Sequence, residues 1–251
     1  MQKYFDINES GYSVRCKLYC SSVNEVKRAV IFGHGFGGHK DNKAAEKFAS
    51  KIISKHKDIG VITFNWPCHG DDARKNLLLS ECDTYLTLVI GYIKKWFGTD
   101  ELYGYATSFG GYLFLKYIAE HGNPFRKIAL RCPSINMYTT ITNRLMTADD
   151  MEKIRKNKPV LVGFDRKVKI GRQFLEDLKT SDISEIDFMD CADDTLILHG
   201  IKDEVIPFSD SAAFADKNVI EFIPVPNADH RFTDPKTMDF AIHEIIEFFA
   251  L

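Results

Sequence analysis

Gly104-Tyr105-Ala106-Thr107-Ser108-Phe109-Gly110-Gly111 is the stretch from which the fold can be read. The residues from 101 to 107 form a short apolar run that predicts a strand, and the spacing over 109–121 predicts a helix. A serine displayed on so sharp a strand-to-helix turn needs very small neighbours two residues before and two after, because the two backbones nearly touch there. The usual form is G-x-S-x-G. Here Ala106 stands in the first place and Gly110 in the second, so one extra methyl weakens the pattern without removing it. An ordinary strand–helix turn with a serine cap reads much the same, and Ser108 has to be judged by what the rest of the chain supplies.

On either side of this turn the chain alternates. Two β-rich runs, about 2–8 and 12–20, flank Asn8-Glu9-Ser10-Gly11 and predict an opening hairpin. Arg28–Gly33 and Ile59–Trp66 read as buried strands. Between them Ala45, Phe48, Ala49, Ile52 and Ile53 fall on one helical stripe. Leu86, Val89, Ile90, Ile93 and Phe97 mark a second helix. Further strands are predicted at 126–132, 194–199 and 219–225, with helices near 208–217 and 237–250. Repeated strand–helix units imply a mostly parallel central sheet covered by helices on both faces, the α/β class. One connection breaks the rhythm: about 60 residues separate the strand ending near Pro133 from that near Thr195, too long for a structureless loop. With charged helical stretches at 148–157 and 171–179 and a β-like Pro159–Phe164, the segment from about 134 to 190 is expected to be a small cap inserted in a single domain spanning 1–251.

A serine hydroxyl becomes a good nucleophile only when a base takes its proton and a third group orients that base. The loop after the 194–199 strand reads Ile201-Lys202-Asp203-Glu204-Val205, which places Asp203 just past a strand's carboxyl end, with Glu204 as its rival. Asp193 and Asp194 fall at the other end of that strand. Of eight histidines, only His230 lies in a loop between the last strand and the last helix. His243 is mid-helix, His56 and His121 sit at helix ends, and His69 and His199 precede glycines in loops at strand ends, where bracing is the expected role. Ser108, Asp203 and His230 are therefore the candidate triad.

Charge developing on an attacked carbonyl needs N–H donors. Phe109, directly after the serine at a helix start, is one candidate. Phe36, in the glycine-rich loop His34-Gly35-Phe36-Gly37-Gly38-His39, is the other. That loop lacks the GK[ST] and GxGxxG endings of phosphate-binding loops.

The composition narrows the partners. Over 251 residues the net charge is −2, a balance that does not call for nucleic acid or an anionic membrane, either of which would favour a basic face. No apolar run approaches the roughly 18 residues of a membrane span, and the first residues lack a signal-peptide pattern. The six cysteines show no CxxC pair or zinc spacing, so reduced thiols in a cytoplasmic protein are expected. The expected partner is a small-molecule ester.

HGFGG, ATSFGG, HGIKDEVIP and NADHRF, in that order at successive strand ends, resemble the α/β-hydrolase superfamily. Within it the chain looks like compact bacterial carboxylesterases, including cinnamoyl and feruloyl esterases, and serine aminopeptidase-like hydrolases. The resemblance implies no metal and no organic cofactor. It implies ester hydrolysis through an acyl-enzyme, with peptidase, thioesterase or acyltransferase activity as alternatives on the same residues, and a non-catalytic ligand-binding role as a different class. Phe36, Tyr138, Phe164 and Phe174 are candidates either to receive an aromatic acyl group or to pack the cap on the sheet.

Overall fold

The computed structural model describes residues 1–250. The chain opens with strands β1 (Gln2–Glu9), β2 (Tyr12–Tyr19) and β3 (Arg28–Gly33), then helix α1 (Lys43–Lys55) and β4 (Ile59–Phe64). Next come α2 (Leu79–Phe97), β5 (Leu102–Thr107), α3 (Phe109–His121) and β6 (Lys127–Arg131). The long connection holds α4 (Met137–Thr140), α5 (Ala148–Arg155), β7 (Val160–Val162), β8 (Val168–Ile170) and α6 (Arg172–Thr180). The chain then runs through β9 (Thr195–Gly200), α7 (Phe208–Asn218), β10 (Glu221–Val225) and α8 (Pro235–Phe249).

Eight strands form one sheet in the order β1-β2-β4-β3-β5-β6-β9-β10. The β1–β2 hairpin joins antiparallel through β4, and the remaining strands are parallel. Parallel strands are buried on both faces, which is why β3, β4, β5 and β9 are almost wholly apolar. On one face Val30, Phe32, Tyr105 and Leu198 pack with Phe48 of α1 and Ile242 and Ile245 of α8. On the other, Ile31, Phe64, Leu130 and Ile197 pack with Tyr85 of α2, Leu113 and Phe114 of α3, and Phe214 of α7. Each large side chain removed from water here contributes about 1.5–3 kcal/mol.

The chain leaves β3 toward β4 on one side and returns to β5 on the other. The loops after β3 and β5 therefore diverge over opposite faces and open a crevice at their carboxyl ends, where ligands of such sheets bind.

Several elements differ in extent from the sequence expectation. α2 begins at Leu79, a full turn and more before the marked stripe. β10 starts at Glu221 because Val219 closes α7 in the left-handed region, φ 58°, with its N–H on Ala215 and Asp216 carbonyls. β8 was not expected: it pairs antiparallel with β7, and its Lys169 carbonyl accepts the Leu77 N–H at 3.0 Å.

Candidate active site

Ser108 sits between β5 and α3 with φ 53° and ψ −117°, a conformation that costs a non-glycine residue about 1–3 kcal/mol. Three backbone bonds hold it there. Its N–H donates to the Arg131 carbonyl at 3.1 Å, and its own carbonyl accepts from Tyr112 at 3.1 Å and Ser134 at 3.2 Å. A Cβ on Gly110 would lie 2.7 Å from the His34 carbonyl oxygen, which leaves no room for any side chain at that place. Ala106 is tolerated for a local reason. Its partner across the β3–β5 ladder is Gly33, where a Cβ would collide with the Phe114 ring at 2.7 Å and approach the Ala106 methyl at 3.3 Å. The methyl missing from β3 makes space for the one present on β5.

His230 lies in the loop between β10 and α8. Its Nε2 is 3.1 Å from Ser108 Oγ, and its Nδ1 is 2.8 Å from Asp203 Oδ2. The chain of contacts fixes the tautomer: Nδ1 donates to the carboxylate and Nε2 is left to accept the serine proton. The Asp203 side chain is fully buried, and both of its oxygens meet donors. Oδ1 accepts the Val205 and Ile206 N–H groups, both at 2.8 Å. Burial alone would raise its carboxyl, but hydrogen bonds from His199 and His230 outweigh burial and hold it well below the usual carboxylate range. Glu204, the rival acid, does not face the imidazole; its carboxylate meets the His230 backbone N–H at 3.4 Å.

Two neighbours went unrecognised in the sequence. His199 is not in a loop but inside β9, and its Nε2 lies 3.1 Å from Asp203 Oδ2 and 3.3 Å from the Ile206 carbonyl. Arg131, at the end of β6, lines the same cleft as Ser108 and His230. A histidine four residues before the acid was the available signal for the first. A lone arginine ending an apolar strand gave little for the second.

The glycine-rich loop passes beside the serine: a Cβ on Gly35 would lie 3.2 Å from Ser108 Cβ. Among the described residues the Phe36 N–H has no acceptor, and Phe109, first in α3, has no helical one. The side chains of the two residues pack edge to face, 5.5 Å between ring centroids, with the buried His69 ring against both. His34 braces the loop, meeting the Gly35 carbonyl at 2.8 Å through Nδ1 and accepting the Trp66 N–H at 3.3 Å through Nε2.

The cleft measures about 330 Å³. One wall comes from the long connection: Met137, Thr140 and Leu145, then Phe164, Asp165 and Arg166 at the turn between β7 and β8. That turn sits on the glycine-rich loop, since a Cβ on Gly37 would lie 2.9 Å from the Arg166 carbonyl oxygen. Phe36 and Phe164 line the cleft, whereas Phe174 is fully buried against Phe109 and Tyr138 packs on the core.

Cys132, Asp203 and His230 offer ligand atoms within 4.8 Å of one another. A metal there would have to displace the bond between Asp203 and His230, and burial first, then the Asp203 charge, push the Cys132 thiol far from ionising. In the group Asp83, Glu120 and His121, half-buried at Asp83 and exposed at the other two, His121 already meets Asp83 at 2.9 Å. No helix among the described residues is long and apolar enough to cross a membrane.

No curated protein sequence matches the chain. Among solved structures it is similar to Est1E from Butyrivibrio proteoclasticus with ferulic acid bound (TM-score 0.78, 20% identity, covering 98% of this chain and 100% of that one). It is also similar to a putative hydrolase from Agrobacterium vitis S4 (TM-score 0.77, 15% identity, 99% and 98% covered). A third similar structure is the esterase Pf2001 of Pyrococcus furiosus (TM-score 0.71, 13% identity, 100% and 92% covered). At these identities the likeness establishes the α/β-hydrolase fold. Residues 93–251, the part that carries Ser108, Asp203 and His230, match the prolyl oligopeptidase family, and the chain belongs to that family of α/β-hydrolases.

Proposed function

We propose that this protein is a serine carboxylesterase acting on small esters through an acyl-enzyme. The observation that carries the reading is the continuous chain from Ser108 Oγ through His230 to Asp203, at 3.1 and 2.8 Å. His230 Nε2 takes the hydroxyl proton as Ser108 Oγ bonds to the ester carbonyl carbon. The Phe36 and Phe109 N–H groups, neither with a backbone acceptor among the described residues, are suited to the oxyanion. The carbon–oxygen bond to the alcohol then breaks, and His230 returns its proton to the leaving oxygen. Water then bonds to the acyl carbon while His230 takes its proton; the bond to Ser108 Oγ breaks, His230 returns that proton to Oγ, and the acid is released.

The region from about 134 to 190 is read as a cap on a single domain, because its β7–β8 turn forms one wall of the cleft. Hydroxycinnamoyl esters belong in the first panel, since Phe36 and Phe164 both line the cleft and the similar Est1E structure holds ferulic acid. A peptidase reading is favoured by one observation, the family match itself. A cytoplasmic setting fits the six unpaired thiols.

Labelling by a fluorophosphonate probe, followed by hydrolysis of ester and aminoacyl-anilide panels, tests the proposal. Labelling that vanishes in Ser108→Ala, with esters cleaved faster than anilides, is the expected result. Labelling at another serine removes the nucleophile assignment, and no labelling at all supports a non-catalytic ligand-binding role.

A further inference from the structure

Arg131 is 6% exposed, and no aspartate or glutamate among the described residues forms an ion pair with it. Its Nε has no hydrogen-bond partner. Nη1 reaches only the thioether sulfur of Met238 at 3.2 Å, a weak acceptor, and the guanidinium lies over the Phe232 ring at 5.0 Å. A guanidinium cannot escape this position by losing its proton, and an unpaired buried charge is costly. Such a group persists where a ligand completes it.

Its place says which ligand. Arg131 pairs across the β5–β6 ladder with Thr107, the residue before Ser108, and it lines the cleft beside His230. The charged residues lining that cleft are Arg131, Arg166, Arg231 and Asp165. Asp165 is engaged by Arg231 at 2.9 Å, which leaves Arg131 and Arg166 uncompensated in a chain whose net charge is −2. A cleft of net positive charge in a protein of net negative charge concentrates anionic substrate. Burial first, and then the Arg166 charge, push His39, which lines the same cleft from the glycine-rich loop, toward its neutral form.

Resting on the esterase reading, we infer that Arg131 is a specificity residue that binds a carboxylate on the substrate. The preferred esters then carry a free carboxylate a few bonds from the scissile carbonyl, as in half-esters of short dicarboxylic acids. The guanidinium N–H groups that Met238 does not hold are free to donate to such a carboxylate, and the Phe232 ring and the Met238 thioether pack against the guanidinium without supplying a competing charge.

Matched esters test this. Monomethyl glutarate is compared with methyl pentanoate, and the acetyl ester of gamma-hydroxybutyrate with butyl acetate, so that each pair differs only in a terminal carboxylate. In the wild-type protein kcat/KM is expected to favour the acid ester of at least one pair by about tenfold or more, the scale of a charge-assisted bidentate contact. In Arg131→Met that ratio should collapse toward one, with Arg131→Lys between the two. No preference in either pair overturns the inference. So does a parallel fall of acid and neutral esters in Arg131→Met, which would assign Arg131 to holding Phe232 and the His230 turn. Inhibition by glutarate but not by neutral glutaramide is the variant-free check, and equal inhibition overturns the inference. Inorganic phosphate inhibiting as strongly as glutarate would overturn the choice of a carboxylate. Arg131-dependent binding of glutarate to Ser108→Ala, in a protein that cleaves no ester, would support the anion site while removing the esterase reading.

Discussion

His199 Nε2 lies 3.1 Å from Oδ2 of Asp203, the same oxygen that Nδ1 of His230 approaches at 2.8 Å. The acid of the candidate triad is thus held by two imidazoles, one fixed in a strand and one free to cycle protons. His199 is a positioning residue whose removal leaves a buried carboxylate short of one donor. A lost hydrogen bond to a charged group is worth about 1.5–3 kcal/mol. His199→Phe is expected to lose that much stability in urea unfolding and to lower kcat more than it raises KM. Unchanged kcat at full occupancy would limit His199 to packing.

Asp203 and Glu204 are neighbours with opposite expectations. Asp203→Asn keeps the shape but lets the amide favour the wrong tautomer of His230, so kcat should fall by about 10⁴. Glu204 meets only the His230 backbone N–H, and Glu204→Gln should stay within a few-fold of the parent. Steady-state rates on one ester suffice to compare them, and equal losses would mean that the acid is wrongly assigned.

The elbow makes a similar contrast. Gly110→Ala places a methyl against the Gly33 and His34 carbonyls and is expected to cost about 3 kcal/mol or more. Ala106→Gly removes a methyl that fits against Gly33, so it should cost about 1 kcal/mol, mostly backbone entropy, and leave the ester rate nearly intact. A large gain in rate for Ala106→Gly would show that the methyl restrains the turn.

Much of this site was legible because parallel sheets force it to be. Apolar runs ending in glycine marked β3 and β9, and the loops that follow them had to carry Phe36 and Asp203. What pattern could not show is mutual: Gly33 makes Ala106 acceptable, and His199 reads as a bracing residue until Asp203 folds back onto it. β8 was hidden because Val168-Lys169-Ile170 is three residues long among charges, and its pairing with β7 is what makes it a strand. Arg131 shows its meaning only through the partners it lacks.

His69 makes stability sensitive to acid. Its Nδ1 is 2.8 Å from the Pro67 carbonyl, its ring packs against both Phe36 and Phe109, and burial lowers it to about 4 despite the Pro67 hydrogen bond and the nearby Asp72 charge. The unfolded chain binds this proton from pH about 6.5 downward and the folded one only near 4, so stability falls as pH drops through that window. The loss attributable to His69 is roughly 3 kcal/mol when the window has been crossed. His69→Phe should flatten the decline of the urea midpoint between pH 7 and pH 4. An unchanged slope would assign the acid sensitivity elsewhere, with His34, buried and also held neutral, the next candidate.

The connection from β6 to β9 carries two phenylalanines with opposed expectations. Phe174 of α6 is fully buried, 6.3 Å from the Phe109 ring, so the segment is packed into the same core that supports the elbow. Phe174→Ala should therefore cost about 3–5 kcal/mol and depress all substrates together through loss of folded protein. Phe164 is 46% exposed at the β7–β8 turn and faces the cleft. Little core depends on it, so Phe164→Ala should leave the melting temperature within a degree or two while shifting relative rates between acetyl and hydroxycinnamoyl esters. Deleting the whole segment would confuse these effects, because it also removes buried Ile141 and Ile183. Measuring both single variants across one ester panel separates them. Uniform rates in Phe164→Ala, with the fold intact, would show that the turn closes over the glycine-rich loop without choosing what enters.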